Sequence, residues 1–333
     1  MILVGTCGWS RLYETVPPSK RRGRTTLQAY SDLFPTVEVN SSFYRFHRVD
    51  TYRKWRRSVP EDFEFTVKCH RSITHEHMLR PTERALENMA RMFEAAEACG
   101  ARVLLLQTPA RLKACEESLK RAEAFFENVN GGAVQLGWET RGASWETAEA
   151  RRGLREVLER FDVIHVTDPM KVEPVRVGEV AYFRLHGLPG YDLRYSYTNR
   201  QLEELRRRLD RFKDAGRVYV FFNNYAMYRD ALRFQQLLCE GHPPPTPFGP
   251  NAVSWALRAF DGWPSSRDEL LERCGRWRCW VAPDRSVPLG EVLRYFEERI
   301  YRGLEDVELE ARRVWGRTGF PDGREVEEGR GAS

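Results

Sequence analysis

Short apolar runs alternate with amphipathic stretches through the first 240 residues of the chain. Each run is apolar almost throughout and is bounded by turn residues, which predicts a strand buried on both faces. Between the runs, residues 84–100 place Leu86, Met89 and Met92 on one face and end in Gly100, which predicts a helix. The eight apolar runs are ILVGTCGW (2–9), TVEVNSSFYR (36–45), FEFTVKCH (63–70), ARVLLLQTP (101–109), AVQLGWETR (133–141), VIHVTDP (163–169), VAYFRLHG (180–187) and RVYVFFNN (217–224).

This alternation predicts the fold class, an α/β protein with a TIM-type (β/α)8 barrel of parallel strands. One unit departs from the repeat, because the connection between Asp168 and Val180 carries Pro169 and Pro174 and cannot hold a regular helix. We expect an irregular, degenerate crossover there. A doubly wound open sheet is the alternative, but the first turn lacks a GxGxxG fingerprint and the chain has no Walker phosphate loop.

The pattern changes past residue 240, where EGHPPPTPFGPN (240–251) forms a proline-rich break. We therefore predict a barrel over residues 1–240, a C-terminal appendage packing on it over 241–321, and a disordered tail over 322–333. Within the appendage, the spacing of LGEVLRYFEERIYRGL (289–304) predicts a helix. Whether Cys274 and Cys279 pair as a disulfide stays open.

Composition sets limits on the class of protein. Hydrophobic residues make up 41% of the chain and charged residues 30%, which is enough for a buried core and resembles thermophilic proteins in charge content. No apolar run approaches the ~20 residues of a membrane span, and the chain starts in a strand-like run instead of a signal peptide. We therefore expect a cytoplasmic location and no membrane partner. The seven cysteines are scattered without a CxxC pair, which argues against a zinc ribbon or a secreted disulfide framework.

Polar and aromatic side chains end nearly every predicted strand. In a TIM barrel the loops after the strands converge on one face, where active sites lie. Buried charge is costly unless it is paired, so such a convergence predicts a ligand site. The alternative is a set of ion pairs that only fill the upper barrel, such as Glu38 with Lys68 or Glu139 with Arg184. The strand-end residues are Cys7, Trp9, Glu38, Asn40, Ser42, Tyr44, Lys68, His70, Gln107, Glu139, Arg141, Asp168, Arg184, His186, Asn223 and Asn224.

The residue types predict roles at this site. Imidazole and carboxylate groups can exchange protons, whereas Lys and Arg suit an anionic group such as phosphate or carboxylate. No cofactor is predicted; a divalent metal held by the catalytic candidates is the alternative, without an HExxH motif to support it. The predicted catalytic residues are His186, Glu38, Glu139 and Asp168. The predicted substrate-binding residues are Asn40, Tyr44, Lys68, His70, Gln107, Arg141, Arg184, Asn223, Asn224 and Trp9.

Seven short motifs from the predicted strands and the loops after them together resemble a known family. They are GTCGW, VEVNSSFYR, FTVKCHRSITH, VLLLQTP, WETRGASW, YFRLHG and VYVFFNN, in this order and spacing. Over residues 2–240 the chain is similar to the YecE-like family, known as domain of unknown function 72. The resemblance implies a TIM barrel and leaves the reaction open. It also implies motif positions at Glu38, Asn40, Tyr44, Lys68, Thr74, His75, Gln107, Glu139, Arg141, Trp145, Arg184, His186, Gly187, Asn223 and Asn224.

The chain departs from this family at two places. QTPA (107–110) stands where a second proline is usual, and Tyr225 follows Asn224 where a histidine is common. The second departure weakens any mechanism that needs a histidine on the eighth strand.

Two functions fit these observations. The first is an enzyme, either a hydrolase, a lyase or an isomerase, acting on a small polar, anionic or phosphorylated substrate, with His186 and Glu38 or Glu139 exchanging protons. The second is a protein that binds or processes RNA or DNA, because the net charge is +5 and RRGR (21–24), RRR (206–208) and the Trp- and Arg-rich C-terminal segment could contact phosphates and bases. A non-catalytic scaffold is a third option. Substrate, metal dependence and oligomeric state are not fixed by the sequence.

Overall fold

The computed structural model describes residues 1–10, 12, 23–129, 132–193, 195–244, 247–258, 260–282, 285–318 and 320. The chain divides into two compact units that interleave along the sequence. The first unit contains residues 1–11, 24–191 and 204–223, and the second contains residues 12–23, 192–203 and 224–333. The domain boundary at residue 240 stays a prediction, and the tail predicted from residue 322 lies outside the described residues.

The first unit is built on eight parallel strands in one sheet. Every predicted strand is present, and the strand order in the sheet is β6-β5-β4-β3-β2-β1-β8-β7. The strands are β1 (Ile2–Thr6), β2 (Thr36–Val39), β3 (Glu64–Lys68), β4 (Val103–Gln107), β5 (Gln135–Glu139), β6 (Ile164–His165), β7 (Val180–Leu185) and β8 (Arg217–Phe222).

The two edges of this sheet meet and close the barrel. Thr167, just after β6, forms a parallel bridge with Phe183 of β7. Its carbonyl accepts a hydrogen bond from Arg184 N at 2.9 Å, and its own N–H donates to Tyr182 O at 3.3 Å. The predicted TIM-type barrel is therefore confirmed, with a short seam between β6 and β7.

Helices follow the strands as the periodicity predicts. Thr25 forms a capping box with Gln28 at the start of α1, and Gly100 ends α3 in the left-handed conformation, φ 65°. The helices are α1 (Thr26–Ser31), α2 (Val49–Arg57), α3 (Glu83–Cys99), α4 (Glu116–Glu127), α5 (Ala148–Arg160), α6 (Asn199–Leu209) and α7 (Met227–Glu240). Between β6 and β7 the described chain forms no helix, so the irregular crossover is confirmed.

The barrel interior contains an apolar layer and a polar one. Leu3, Leu105, Ile164, Tyr182 and Phe221 belong to a buried cluster contributed by five of the strands. Because side chains alternate along a strand, the inward positions beyond this layer are the polar strand-end residues. The C-terminal face of the barrel therefore carries the functional groups.

The second unit has its own buried core, which includes Val253, Leu270, Trp280, Leu293 and Val314. Its elements are α8 (Asn251–Leu257), β9 (Ser265–Ser266), α9 (Arg267–Cys274), β10 (Arg278–Ala282), β11 (Arg285–Pro288), α10 (Leu289–Leu293), β12 (Ile300–Tyr301) and α11 (Leu304–Thr318). Strands β10 and β11 pair antiparallel, as do β9 and β12.

One predicted helix in this unit is wrong. The stretch 289–304 is helical only as far as Leu293, and Ile300 and Tyr301 pair with Ser266 and Ser265. Tyr301 is fully buried, so its packing outweighs the local helical preference. Cys274 and Cys279 are both free and buried, so no disulfide joins them.

No described helix is both long and apolar enough to cross a membrane.

Candidate functional site

A buried arginine organises the polar layer of the barrel. Arg184 on β7 is fully buried, and its Nε and Nη2 each donate to one oxygen of Glu38 at 2.8 Å. Its Nη1 donates to Glu139 Oε2 at 2.5 Å. The Tyr182 hydroxyl adds a 2.8 Å bond to Glu38, and Cys7 Sγ lies 3.7 Å from Nη2. Arg184 therefore links strands on opposite sides of the barrel.

This cluster is a structural ion-pair system as well as a site boundary. Glu139 pairs with Arg184, one of the two pairs considered from the sequence, whereas Glu38 pairs with Arg184 and not with Lys68. Burial acts to raise the pKa of Glu139, but Arg141 and Arg184 outweigh it and hold that pKa well below its usual value. Both oxygens of Glu38 are occupied and the residue is fully buried, so it has no surface for a substrate.

A second arginine lies nearer the solvent. Arg141 Nη2 donates to Glu139 Oε1 at 2.6 Å and to His186 Nε2 at 2.8 Å. The chain turns directly after it because Gly142 adopts a φ of +100°, and a Cβ there would lie 3.3 Å from the Ala110 Cβ. The Arg141 guanidinium is therefore held in one orientation by a carboxylate, an imidazole and a fixed turn.

His186 is a neutral partner of this arginine. Burial is the main cause that lowers its pKa to about 3, and the positive charge of Arg141 adds to it. A guanidinium can only donate, so Nε2 accepts and the ring proton sits on Nδ1. Asn223 Nδ2 lies 3.1 Å from Nδ1, so the Asn223 oxygen accepts that proton when the amide is turned over. Glu139 Oε1 also lies 3.3 Å from Nε2. Both ring nitrogens are thus engaged, and the ring stacks on Tyr191 at 5.0 Å.

Asp168 orients the chain around His186. Its Oδ2 accepts from the His186 N–H at 3.2 Å and its Oδ1 accepts from the Met170 N–H at 3.0 Å. Lys171 Nζ lies 3.5 Å from Oδ2. Burial raises the pKa of Asp168 even though these partners oppose the shift. Its contacts are those of a residue that positions His186.

Lys68, at the end of β3, differs from the two arginines. It is 8% exposed, and its Nζ lies 4.1 Å from the centre of the Phe43 ring. Within the described residues no carboxylate forms an ion pair with it. Burial and the charge of Arg184 lower its pKa to about 8. Lys68 is therefore a cation with an aromatic neighbour and a readily lost proton.

The remaining predicted residues lie around the rim or serve local structure. Asn40 Nδ2 donates to Cys7 O at 3.3 Å, and Gln107 Nε2 donates to Thr108 O at 3.0 Å. Tyr44 is 72% exposed beside Phe43, His70 stacks on Phe46, and Trp9 packs edge-on against Trp55. Asn224 belongs to the second unit, where its Nδ2 lies 3.5 Å from Asp230 Oδ2. The structure therefore brings together Glu38, Lys68, Glu139, Arg141, Asp168, Arg184, His186 and Asn223.

A cavity of about 350 Å³ lies at the C-terminal ends of β5, β6 and β7. Arg141 and Thr167 both line it, and the buried atoms Arg141 Nε and Thr167 Oγ1 have no hydrogen-bond partner among the described residues. A buried donor without a partner is costly, which indicates that a ligand or water completes these two groups. This is the clearest sign of a binding site in the first unit.

The residues of this wall that were missed from the sequence include His165, Thr167, Lys171 and Tyr191. His165 and Thr167 alternate with Ile164 and Val166 of the interior, so they face outward, where a helix normally covers the strand. Here the irregular crossover, and not a helix, covers that face, and the cavity lies beside it. In the sequence, the two prolines of the crossover were the signal that could have pointed to these wall residues.

His165 is a second buried neutral imidazole. Its Nδ1 accepts from the Val175 N–H at 2.9 Å, which places the ring proton on Nε2. Burial lowers its pKa to about 3. His165 therefore adds a neutral hydrogen-bond donor to the cavity wall.

The four predicted catalytic residues do not converge as a metal site. Arg184 lies between Glu38 and Glu139 and bonds both. In the part of the chain that the structure describes, no three His, Cys, Asp or Glu residues are arranged to hold a metal ion. The donor set therefore does not fit the metal alternative.

Comparison with known proteins places the chain in a family. The family model described as "Protein of unknown function DUF72" matches residues 3–250. The chain belongs to the DUF72 family. The resemblance found in the sequence motifs is thereby confirmed.

Curated relatives of this DUF72 chain match over a short stretch. The UPF0759 protein YunF of Bacillus subtilis is 38% identical over 74 residues, which is 22% of this chain and 26% of that protein. The UPF0759 protein YecE of Escherichia coli K12 is 32% identical over 80 residues, 24% of this chain and 28% of that protein. The aligned stretch thus spans about a quarter of each relative.

Solved DUF72 structures support the fold. A DUF72 family protein from Thermotoga maritima has a TM-score of 0.58 and 24% identity, covering 72% of this chain and 99% of that one. Another, from Enterococcus faecalis, has a TM-score of 0.56 and 21% identity, covering 72% and 96%. At these identities the likeness concerns the fold alone.

Three other DUF72 motif positions contribute to the structure around the C-terminal mouth of the barrel. Trp145 is buried and donates through Nε1 to Leu112 O at 2.8 Å. Gly187, directly after His186, adopts φ +86°, which favours glycine. His75 packs against Phe43, and burial together with the charge of Lys68 lowers its pKa to about 4.

Proposed function

We propose that this DUF72 protein is an enzyme that binds a small anionic substrate, a carboxylate or a phosphorylated compound, at the C-terminal face of its barrel and transfers protons there. The observation that carries the proposal is the pair of buried, unpartnered donors on the cavity wall, Arg141 Nε and Thr167 Oγ1. An anionic oxygen would complete both. The volume of about 350 Å³ is in the range of small-molecule sites.

The charge of the cluster supports an anion. Lys68, Arg141 and Arg184 carry three positive charges, against two negative charges on Glu38 and Glu139, which leaves one positive charge. Of these five residues, Glu139 and Arg141 line the cavity, and the further charged residues of its wall, Glu146, Arg151, Asp168 and Lys171, contribute equal numbers of each sign. An anion bound at Arg141 would balance the remaining charge in a setting of low dielectric.

The proton-transfer step is assigned to Lys68, which does not line the cavity but lies beside it at the end of β3, with one strand between β3 and β5. His186 has both ring nitrogens engaged and a pKa of about 3, and Glu139 is held ionised by two arginines, so both act mainly to orient Arg141. Lys68 has a pKa of about 8, which lies close to neutral pH. It can therefore give up and regain a proton during turnover.

Anion binding tests this proposal directly. Isothermal titration calorimetry with inorganic phosphate, pyruvate and glycerol phosphate, each at fixed low salt, should show saturable binding of at least one. Arg141→Gln should weaken it 10- to 100-fold, since a hydrogen bond to a charged group contributes about 1.5–3 kcal/mol. Thr167→Val should weaken the same binding by a smaller factor.

Arg53→Gln is the matched control, because Arg53 is an exposed arginine that pairs with Asp50. It should leave affinity unchanged. If none of the three anions binds, or if Arg141→Gln and Arg53→Gln bind them equally well, the proposal is wrong.

Nucleic-acid binding is the second candidate function, and one observation favours it. Tyr44 is 72% exposed and Phe43 lies beside it, which offers a flat apolar face at the rim for a base. The arginine runs favour it less: Arg207 and Arg208 pair with Glu204, and Arg21 and Arg22 lie outside the described residues.

Gel retardation with single-stranded RNA and DNA tests this second candidate. Binding should fall steeply between 50 and 200 mM salt, as expected for phosphate contacts. Tyr44→Ala should weaken it, with the exposed Tyr295→Ala as the control. The absence of retardation at low salt would rule this function out.

A further inference from the structure

We propose that Lys68 is a nucleophilic amine that forms an imine with the carbonyl carbon of a small anionic aldehyde or ketone. The inference rests on the proposed function for the anionic part of the substrate. Its own basis is the surroundings of the Lys68 side chain, which lies at the end of β3 in the barrel mouth.

The first observation is that Lys68 has no partner for its charge. Buried lysines are nearly always paired, yet no hydrogen bond or ion pair of Nζ is formed with the described residues. The two carboxylates that act on it electrostatically, Glu38 and Glu139, are both engaged by Arg184. A purely structural lysine would compete for one of them. Lys68 is left with 8% of its surface exposed toward solvent.

The second observation is the aromatic ring beneath the amine. Nζ lies 4.1 Å from the centre of the Phe43 ring. A ring face stabilises a cation without accepting its protons, so it leaves the nitrogen lone pair available after deprotonation. It also suits an iminium, whose charge is spread over carbon and nitrogen. Phe43 is held in place by edge-on contacts with Tyr44 and His75.

The third observation concerns the groups that keep the amine uncharged. Burial is the main cause that lowers the pKa of Lys68, and the fixed positive charge of Arg184 adds to it, while Glu38, Glu139 and Cys7 oppose the shift. At pH 7 an amine with a pKa of about 8 is ~10% uncharged, against ~0.03% at 10.5. Lys68 therefore presents about 300 times more free amine than a surface lysine.

The covalent step balances without an oxidant or reductant. The uncharged amine attacks the carbonyl carbon, a C–N bond forms, and the carbonyl oxygen leaves as water with both amine protons. Uptake of one proton from solvent gives the iminium. The iminium draws electrons from the neighbouring carbon, so a C–H bond there can break and leave its electron pair as an enamine. Addition of water in the reverse sense releases the carbonyl compound and restores Lys68.

The position of Lys68 relative to Arg141 suits a small bifunctional substrate. β3 and β5 are separated by one strand, so their backbones are about 10 Å apart, and both side chains extend from the mouth. Both residues also act electrostatically on the same His75 ring. An anionic group at Arg141 and a carbonyl at Lys68 would thus belong to one molecule of a few carbons.

Reductive trapping tests the inference on the full chain. The protein is incubated at pH 7 with glyoxylate and sodium cyanoborohydride, and adducts are located by digestion and mass spectrometry. The chain has only seven lysines, so each site is resolved. We expect Lys68 to be labelled at least 10-fold faster than Lys120, which is 70% exposed and serves as the internal control. Labelling of Lys68 no faster than Lys120 would overturn the inference.

A neutral probe separates this inference from the proposed function. Acetaldehyde offers the carbonyl without the anion, so glyoxylate should label Lys68 faster than acetaldehyde does, and Arg141→Gln should slow only glyoxylate. If both aldehydes label Lys68 selectively at equal rates in the parent and in Arg141→Gln, the nucleophile stands and the anionic substrate is refuted. Lys68→Arg, which keeps the charge, should abolish the adduct at position 68; an unchanged peptide adduct pattern would refute the assignment.

Discussion

Replacing Arg184 by methionine is the most direct test of the ion-pair cluster. Methionine has a similar length and no charge, so the change removes three bonds to carboxylates while leaving little space. Glu38 would keep the Tyr182 hydroxyl and the Cys7 thiol, and Glu139 would keep Arg141. We expect the barrel to fold with a lower free energy of unfolding.

The magnitude follows from the buried Glu38 carboxylate, which loses its arginine. Removing one partner of a buried ion pair costs about 3–5 kcal/mol. Glu139 contributes less because Arg141 still neutralises it. We therefore expect Arg184→Met to lower the free energy of unfolding by about 3–5 kcal/mol at pH 7.

The same reasoning fixes the pH dependence. In the parent, the depressed pKa of Glu139 stabilises the folded state above pH 4.5, and that contribution is lost as the pH falls through the folded pKa. Arg184 is one of the two arginines that hold the Glu139 pKa low, so the variant loses part of this contribution. The difference between the two proteins should therefore shrink as the pH falls below about 4.5.

The free energy of unfolding is measured by hydrogen exchange of peptides from β5 and β7 at increasing urea concentrations. This follows the unfolding of the barrel separately from that of the second unit. Arg207→Met is the matched control, since Arg207 is 66% side-chain exposed and pairs with Glu204 on a helix. It should change the free energy of unfolding by less than about 0.5 kcal/mol. A loss below about 1 kcal/mol in Arg184→Met, or a difference that does not depend on pH, would refute the reasoning.

Three further predictions concern the same cluster. His186→Ala should leave the fold intact and weaken phosphate binding 3- to 10-fold, because Arg141 loses one of its two anchors; calorimetry that shows parent affinity would contradict this. Lys68→Met should raise the free energy of unfolding at pH 7 by up to about 3 kcal/mol, because the folded pKa of about 8 lies below the unfolded value of 10.5. The gain should fade between pH 8 and 10.5. Urea denaturation that shows a loss of stability at pH 7 would count against it. Tyr182→Phe should cost about 1–3 kcal/mol, since Glu38 loses a buried hydrogen bond, and denaturation at parent stability would show that bond to be unimportant.

The strands were predictable because a buried parallel strand is apolar on both faces. This pattern can be recognised in the sequence without knowing which distant residues pack against the strand. The second unit was harder. Leu304–Thr318 is a helix that buries Val307, Ala311 and Val314 at helical spacing. Its many charged residues made this apolar face hard to recognise in the sequence. The wrong helix at 289–304 depends on the pairing of Ile300 with Ser266, a contact between residues far apart in sequence.

The site was predictable where strand alternation directs side chains inward. Glu139, Arg184 and His186 converge as expected from their places at the strand ends. What the pattern could not show is how the charges combine: Arg184 engages both carboxylates, which leaves Lys68 alone. Nor could it show the cavity beside β6, because Thr167 points to a face that a helix covers in a regular barrel.

The irregular crossover separates the stability of the barrel from the shape of its cavity. Residues 169–179 belong to no strand, yet Lys171 and Val172 of this segment line the cavity. Substitutions or length changes there alter what the cavity admits without removing a bond from the strand ladder. The shape of the cavity in this chain can therefore change through a single loop, while the buried ion pairs and the barrel stay as they are.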